Sequence, residues 1–249
     1  MCRPTVADAD SMLANLWIST GRAYRRLDHP DQAIAAFDSA RALRERRSGH
    51  ENLGVAEALA EIGGVYGRTA RLDEAQLALG EAIAIIERSP GEDGTSLVRP
   101  LADLASAQSQ AGDIARSIET LERAVEITIR TSGPDSPRLI PLLFNIANRL
   151  SDFGDNAGAF EIFSALVPRA EAALGAGNSR TENVRLFAGA TALEARDTAA
   201  AARFLSRARE ELRAKPVDPN HVGNQIERHY AGLLMARGDL DGARRAVRE

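Results

Sequence analysis

Small and large apolar residues recur along the chain with a period of 42 residues. The small residues are Ala33, Ala75, Ser117, Ala159, Ala201 and Ala243. Four residues after each of them comes an apolar residue, in the order Phe37, Leu79, Leu121, Phe163, Leu205 and Val247. Because a spacing of four places both residues on one face of a helix, the pattern predicts six amphipathic helices.

A second set of small residues keeps the same period upstream of the first. Its members are Gly21, Gly63, Ala105, Ala147, Gly189 and Ala231. The sequence therefore predicts two helices in each period, and the small residues allow the two helices to pack closely. Self-similarity at a period of roughly 20–50 residues is typical of helical repeat arrays.

Turn-forming residues separate the predicted helices. The short turns within hairpins contain aspartates that we expect to cap the next helix, namely Asp28, Asp73, Asp113, Asp155, Asp197 and Asp239. The longer turns between hairpins are rich in Gly and Pro, as at 90–94, 133–137 and 216–220. The predicted organisation is one array over 1–249, with repeats at 10–50, 51–93, 94–135, 136–177, 178–218 and a partial sixth at 219–249.

Composition narrows the classes of function. The chain has 249 residues and a net charge of −4, which argues against nucleic acid and anionic membranes as partners. Its apolar runs are shorter than the ~20 residues of a membrane-spanning helix. The single cysteine, Cys2, excludes an intrachain disulfide and favours a reducing, cytoplasmic location. Only Lys215 among the 31 basic residues is a lysine, a bias that favours a bacterial source.

The sequence contains no recognisable catalytic or metal-binding motif. The histidines are His29, His50, His221 and His229, with no pair at i, i+4 and no cysteine partner for zinc. Gly63, Gly64 and Gly67 lie on a predicted helix that follows no strand, which argues against a phosphate-binding loop. There is no G-x-S-x-G nucleophile motif. We therefore predict a non-enzymatic protein without cofactor or metal.

Two segments carry a resemblance to a known family. Trp17-x-x-Thr20-Gly21-x-x-Tyr24, followed by Ala33 and Phe37, resembles the tetratricopeptide-repeat signature, as does Leu59-x-x-Ile62-Gly63-x-x-Tyr66 with Ala75. The 42-residue period, in place of roughly 34, and the turn at 133–137 resemble the kinesin-light-chain subtype. The resemblance weakens in repeats five and six, where Arg185 and Glu227 replace the first aromatic or leucine.

This resemblance implies an all-α, right-handed superhelical solenoid of about five and a half antiparallel hairpins, whose first helices line a concave groove. The implied groove positions in repeats one to three are mainly basic, with Glu57 as the exception: Asn15, Arg22, Arg25, Arg26, Arg68 and Arg99. Later repeats contribute polar and apolar residues: Asn145, Asn148, Ser151, Phe144, Leu186 and Leu193.

The groove positions predict an acidic ligand, because arginine binds carboxylates in a bidentate manner. Asn145 and Asn148 are the expected hydrogen-bond donors to a ligand backbone. Two structural interpretations stay open: the arginines form a solvated face, and the apolar residues pack between helices. The family's clamp for chaperone tails requires Lys and Asn one turn apart in repeat one, where this chain has Ile18 and Arg22.

We therefore predict a protein-protein interaction module or scaffold that binds a peptide or partner protein. One alternative is a self-associating assembly subunit, because Ala243 and Val247 form an apolar C-terminal surface that another chain is expected to bury. The other alternative is a regulatory or sensor fragment of a larger bacterial signalling protein.

Overall fold

The computed structural model describes residues 6–89, 94–214 and 221–248. These ranges contain twelve α-helices: α1 Val6–Arg26, α2 Pro30–Ser48, α3 Leu53–Arg68, α4 Leu72–Arg88, α5 Val98–Gln110, α6 Ile114–Ser132, α7 Leu139–Phe153, α8 Asn156–Leu174, α9 Ser179–Glu194, α10 Thr198–Arg213, α11 His221–Ala236 and α12 Leu240–Arg248. The all-α helical-repeat class is confirmed. The predictions on Cys2, Lys215, 90–93 and 216–220 fall outside the described residues.

The helices form two compact units, which divide between Gly133 and Pro134. Unit 1 contains α1 to α6, and unit 2 contains α7 to α12. Odd-numbered helices are the first helices of hairpins, and even-numbered helices are the second helices. Each first helix packs against the second helix that follows it. No helix in the described ranges combines the length and the apolar character needed to cross a membrane.

The small residues of the first helices allow close packing within each hairpin, as predicted. A Cβ atom on Gly21 would lie 2.5 Å from the ring of Phe37, and one on Gly63 would lie 2.6 Å from Cγ of Leu79. Phe37 and Leu79 are themselves fully buried. The paired small and large positions of the 42-residue pattern are therefore one packing contact repeated along the chain.

Each unit has its own apolar core. In unit 1, Ile18, Phe37 and Ile62 share a cluster with buried alanines of α2 and α3. In unit 2, Phe163 and Val184 belong to a cluster of α7, α8, α9 and α10 residues. The cores consist of side chains from successive hairpins, so every hairpin needs a neighbour to bury its apolar face.

Aspartates cap four of the second helices. Asp113, Asp155, Asp197 and Asp239 each accept a hydrogen bond from a backbone N–H in the first turn of the next helix, at 2.8–3.1 Å. The prediction was wrong for the first two hairpins, where His29 and Arg71 occupy the cap position without a side-chain cap. Asp28 lies one residue earlier, and Asp73 lies inside the first turn of α4.

A left-handed backbone conformation recurs before each cap position. It occurs at residues 42 apart: Asp28, Ala70, Gly112, Gly154, Arg196 and Gly238, with φ from 57° to 94°. Glycine adopts this conformation without a steric penalty, whereas a Cβ atom makes it costly. The hairpin turn therefore imposes the same backbone geometry on Asp28, which tolerates it, and on Ala70 and Arg196, which are poorly suited to it.

Replacing Ala70 with glycine is expected to stabilise the protein by about 0.5–1 kcal/mol, because the substitution relieves the left-handed strain. Ala111→Gly is the matched control, since Ala111 precedes the next such turn with a φ of −76°. The control is expected to destabilise by a similar amount, through the added freedom of the unfolded chain. Thermal unfolding followed by circular dichroism measures the change in stability of both variants. A lower melting temperature for both variants would show that Ala70 is not strained in the left-handed conformation.

Candidate functional site

Glu61 is a charged residue at the centre of unit 1. It lies on α3, where Glu57 and Glu61 are the charged residues that precede Arg68 in an otherwise apolar segment. The side chain of Glu61 is 0% exposed. Because a buried carboxylate is costly unless it is paired and hydrogen-bonded, its partners determine the local structure.

Three arginines from two other first helices bind the Glu61 carboxylate. Arg22 donates from Nε to Oε1 at 2.7 Å, and Arg25 donates to Oε2 at 2.8 Å. Arg99 donates to both oxygens at 2.9 Å, which is the bidentate geometry. Each carboxylate oxygen therefore accepts two charged hydrogen bonds, and the network joins α1, α3 and α5.

Glu57 extends the network on the same face. One of its oxygens accepts from Arg22 at 2.9 Å, and the other lies 2.9 Å from Arg44 of α2. Arg44 also donates to the side-chain oxygen of Asn15 at 3.0 Å. We call the set of Arg22, Arg25, Glu57, Glu61 and Arg99 the Glu61 network.

The electrostatics of the network favour a further anion. Burial raises the pKa of Glu61, but the hydrogen bonds from Arg99 and Arg22 and the charges of Arg99 and Arg25 together outweigh burial and hold this pKa below its usual value. Burial lowers the pKa of Arg25, and the nearby cations Arg99, Arg68 and Arg22 lower it further, against the attraction of Glu61. Burial is the largest cause of this shift. The network itself contains three arginines and two glutamates, so it carries an excess of positive charge.

Another acid, Asp103 of α5, lies at the border of the network. Its carboxylate lies 3.7 Å from Nε of Arg99. Burial raises the pKa of Asp103, which disfavours its charged form.

The remaining predicted arginines of unit 1 lie at the edge of the network. Arg68 donates to the backbone carbonyl of Arg25 at 3.1 Å. Arg26 and Arg68 are both exposed and occupy equivalent positions at the ends of α1 and α3. The structure thus brings together the predicted basic residues, and it pairs several of them with acids that are part of the protein.

An apolar cavity of about 180 Å³ borders the network. Leu53, Ala60, Ile86 and Pro100 form much of its wall, and Arg99 lies at its side. The cavity lies between hairpins two and three, so an apolar group bound there would lie next to the arginines.

The apolar candidates of unit 2 contribute mainly to packing. Phe144 packs edge to face against Phe163 and Phe187, with ring centroids 5.3 and 5.1 Å apart. Leu186 is 2% exposed within a core cluster, and Leu193 packs against the same cluster. These side chains therefore stabilise unit 2, and they offer little accessible surface to a ligand.

The polar candidates of unit 2 lie on α7. Asn145 and Asn148 have partly exposed side chains. Ser151 donates a hydrogen bond to Oδ1 of Asn156 at 2.9 Å, which links the two helices of hairpin four. Ser151 therefore has a local structural role.

Ion pairs replace the apolar residues that repeats five and six lack. Arg185 is 2% exposed and is paired with Glu182 and Glu171, and it donates to the carbonyl of Ala176 at 3.0 Å. Glu227 accepts two hydrogen bonds from Nε of Arg209 at 2.8 Å. At these two positions, the charged side chains of ion pairs thus take the place of the apolar side chains of the repeat signature.

Sequence reasoning missed Glu61, Asp103 and Arg44 as members of the site. A signal for Glu61 was present, because a charge in the middle of an apolar helix is buried and must find a partner. The described residues contain no group of three or more His, Cys, Asp or Glu side chains that could hold a metal ion.

Comparisons with known proteins identify the repeat. A family model for the tetratricopeptide repeat matches residues 12–88, and a second model of the same description matches residues 98–128. A search of curated proteins found no match.

Several solved structures are similar to the chain. BtubC (BKLC) from P. vanneervenii is 15% identical with a TM-score of 0.71, over 98% of this chain and 89% of that one. A putative kinesin light chain from Podosopora anserina with nearly identical TPR-like repeats is 17% identical with a TM-score of 0.71, over 84% and 99%. A signal transduction ATPase from Pyrococcus horikoshii with a tetratricopeptide repeat sensor is 11% identical with a TM-score of 0.76, over 94% and 34%.

Proposed function

The chain belongs to the tetratricopeptide-repeat proteins, and we propose that it binds an acidic segment of a partner protein on the first helices of unit 1. The convergence of Arg22, Arg25, Arg68 and Arg99 from three successive first helices supports this proposal. A cytoplasmic location and a role as an interaction module or scaffold are parts of the same proposal.

The Glu61 network prepares the arginines for a ligand. Glu61 and Glu57 hold the guanidinium groups in place, so a ligand carboxylate meets donors whose conformational freedom is already reduced. A bound anion also relieves the repulsion between Arg25 and its neighbouring arginines. This arrangement favours glutamate or aspartate side chains over a neutral segment.

The adjacent cavity favours a ligand of mixed character. Its apolar wall accommodates an aliphatic side chain, and Arg99 lies at its border. Buried apolar anchors supply much of the affinity of protein interfaces, while charged contacts supply specificity and association rate. We therefore expect acidic residues next to an apolar residue in the bound segment.

The proposal is tested by selecting ligands from a random peptide library with the 249-residue chain as bait. The selected peptides are expected to be enriched in Asp and Glu relative to the starting library. Arg26→Glu combined with Arg68→Glu is expected to weaken their binding by about tenfold or more, which is ~1.4 kcal/mol. These two arginines are chosen because Arg22, Arg25 and Arg99 hold Glu61, and their loss would confound binding with stability.

A matched control carries the same change of charge on second helices. Arg46→Glu combined with Arg116→Glu alters exposed arginines of α2 and α6 and is expected to leave the dissociation constant unchanged. Peptides without acidic enrichment, or equal weakening by both double variants, would overturn the assignment to the first helices of unit 1.

A sensor function within a larger signalling protein is the second candidate. The similarity to the sensor-containing ATPase of Pyrococcus horikoshii favours it, although this chain covers 34% of that protein. Measuring the size of the native protein with an antibody against unit 1 separates the two functions. A native protein much longer than 249 residues supports the sensor function, and one of this length contradicts it.

A further inference from the structure

One face of α1 is apolar and exposed, although the equivalent faces of the first helices α3 and α9 are buried. Leu16 is 61% exposed and Trp17 is 36% exposed, and Leu13 is exposed beside them. The residues 42 positions later, Val55, Ala58 and Leu59, are buried. Helix α3 packs against the second helix α2 that precedes it, and Ala58 lies in one core cluster with Phe37 and Ala40 of α2. The face of α1 therefore has the shape and chemistry that a preceding second helix would cover.

The same comparison holds for a first helix of unit 2. Thr181, Val184 and Arg185 of α9 occupy the positions of Leu13, Leu16 and Trp17, and all three are buried. The second helix α8 packs against α9. In both units, therefore, these three positions are buried in a first helix that packs against the second helix before it.

The last described hairpin presents the complementary feature. An open cleft of about 390 Å³ lies between α11 and α12, and its wall includes Met235, Leu240, Ala243 and Val247. Val247 is 72% exposed. The equivalent positions in the other hairpins are fully buried: Phe37, Leu79, Leu121, Phe163 and Leu205. The cleft is therefore an apolar surface that is exposed at a position where the earlier second helices are buried.

The charges of the two surfaces are complementary. Residues 9–18 of α1 contain Asp10 and no basic residue. Residues 240–247 of α12 contain Arg244 and Arg245 against Asp241. Opposite charges on two apolar surfaces favour their mutual approach and disfavour contact of either surface with itself.

We propose that α1 of one copy of this chain packs on the α11–α12 cleft of a second copy, head to tail. The contact reproduces the junction between a second helix and the following first helix that the chain already uses within each unit. Because the two surfaces differ, the contact is heterologous and leaves one free surface of each kind on every dimer. The inference goes beyond the proposed ligand binding, since it uses neither the Glu61 network nor its cavity.

Sedimentation of the 249-residue chain over a dilution series tests the inference. The apparent mass is expected to rise with concentration beyond that of the monomer. Trp17 is the only tryptophan of the chain, so its emission reports directly on the α1 face. The emission is expected to shift to shorter wavelength in step with the rise in mass.

Two single variants and their mixture identify the surfaces. Leu16→Asp and Val247→Asp are each expected to give a monomer, because each retains only one functional surface. An equimolar mixture of the two is expected to form a dimer and nothing larger, since one intact contact remains between them. Leu77→Asp on α4 is the control, because Leu77 is equally exposed and lies on neither surface, and it is expected to associate as the wild type does.

Circular dichroism confirms that every variant keeps its helices. A wild-type chain that stays monomeric at all concentrations overturns the proposal. Dissociation by Leu16→Asp together with unchanged association of Val247→Asp also overturns it, because that result indicates contact between two α1 helices.

Discussion

Replacing Glu61 with glutamine is expected to lower the free energy of unfolding by about 3 kcal/mol. Removal of one partner from a buried ion pair typically costs roughly 3–5 kcal/mol. The lower end applies here, because the side chains of Arg22, Arg25 and Arg99 are 23–51% exposed and regain some hydration. The amide keeps the shape of the carboxylate, so the loss of stability measures the contribution of the negative charge.

Chemical denaturation followed by circular dichroism measures this change. Glu87→Gln is the matched control, since Glu87 and Arg123 form an exposed ion pair between two second helices. Exposed pairs contribute about 0–1 kcal/mol, so the control is expected to change stability little. Equal effects of the two variants would show that Glu61 has no special role in joining α1, α3 and α5.

The stabilisation by Glu61 depends on pH, and the direction of this dependence follows from the pKa of Glu61. Its pKa in the folded protein lies below the ordinary value of 4.5, because the hydrogen bonds from Arg99 and Arg22 and the charges of Arg99 and Arg25 together outweigh the effect of burial. The unfolded chain therefore binds the proton more readily, and the stabilisation is present above pH 4.5 and lost as the pH falls through the folded pKa. The difference between wild type and Glu61→Gln is expected to shrink below pH 4.5.

Replacing Arg185 with leucine is expected to destabilise unit 2 by about 3 kcal/mol, although leucine is the residue found at this position in repeats two and three. The substitution breaks the ion pair between Arg185 and buried Glu182, and removing one partner of a buried pair is costly. Denaturation followed by circular dichroism is again the measurement.

The double variant Arg185→Leu with Glu182→Ala is expected to recover most of the stability. It replaces the buried pair with the apolar residues that hairpin two has at Leu59 and Ala56, and such replacements are often neutral or stabilising. A double variant as unstable as the single one would contradict this expectation. It would show that unit 2 requires the ion pair itself at these two positions.

Much of the fold could be predicted from the sequence, because it depends on local and repeated contacts. Gly21 and Phe37, like Gly63 and Leu79, belong to the same hairpin, so a fixed spacing determines their contact. The caps at Asp113 and Asp155 depend on neighbouring residues only. The left-handed residues Ala70 and Arg196 were not predicted, because neither residue type favours that conformation.

The candidate site was less predictable, because its contacts join side chains that are far apart in the sequence. Arg22 and Arg99 lie on two different helices from Glu61, and both reach it through long side chains. The 42-residue pattern places these helices side by side, but it does not determine which acid each arginine meets. The predicted basic residues Arg22, Arg25 and Arg99 are neighbours in the structure, but the sequence pattern did not mark the acid between them.

Photo-crosslinking of a selected acidic peptide to the 249-residue chain tests the central claim most directly. We expect crosslinks to residues of α1, α3 and α5 in unit 1, with loss of crosslinking in the Arg26→Glu, Arg68→Glu double variant. Crosslinks confined to the second helices α2, α4 and α6, or to unit 2, would contradict it.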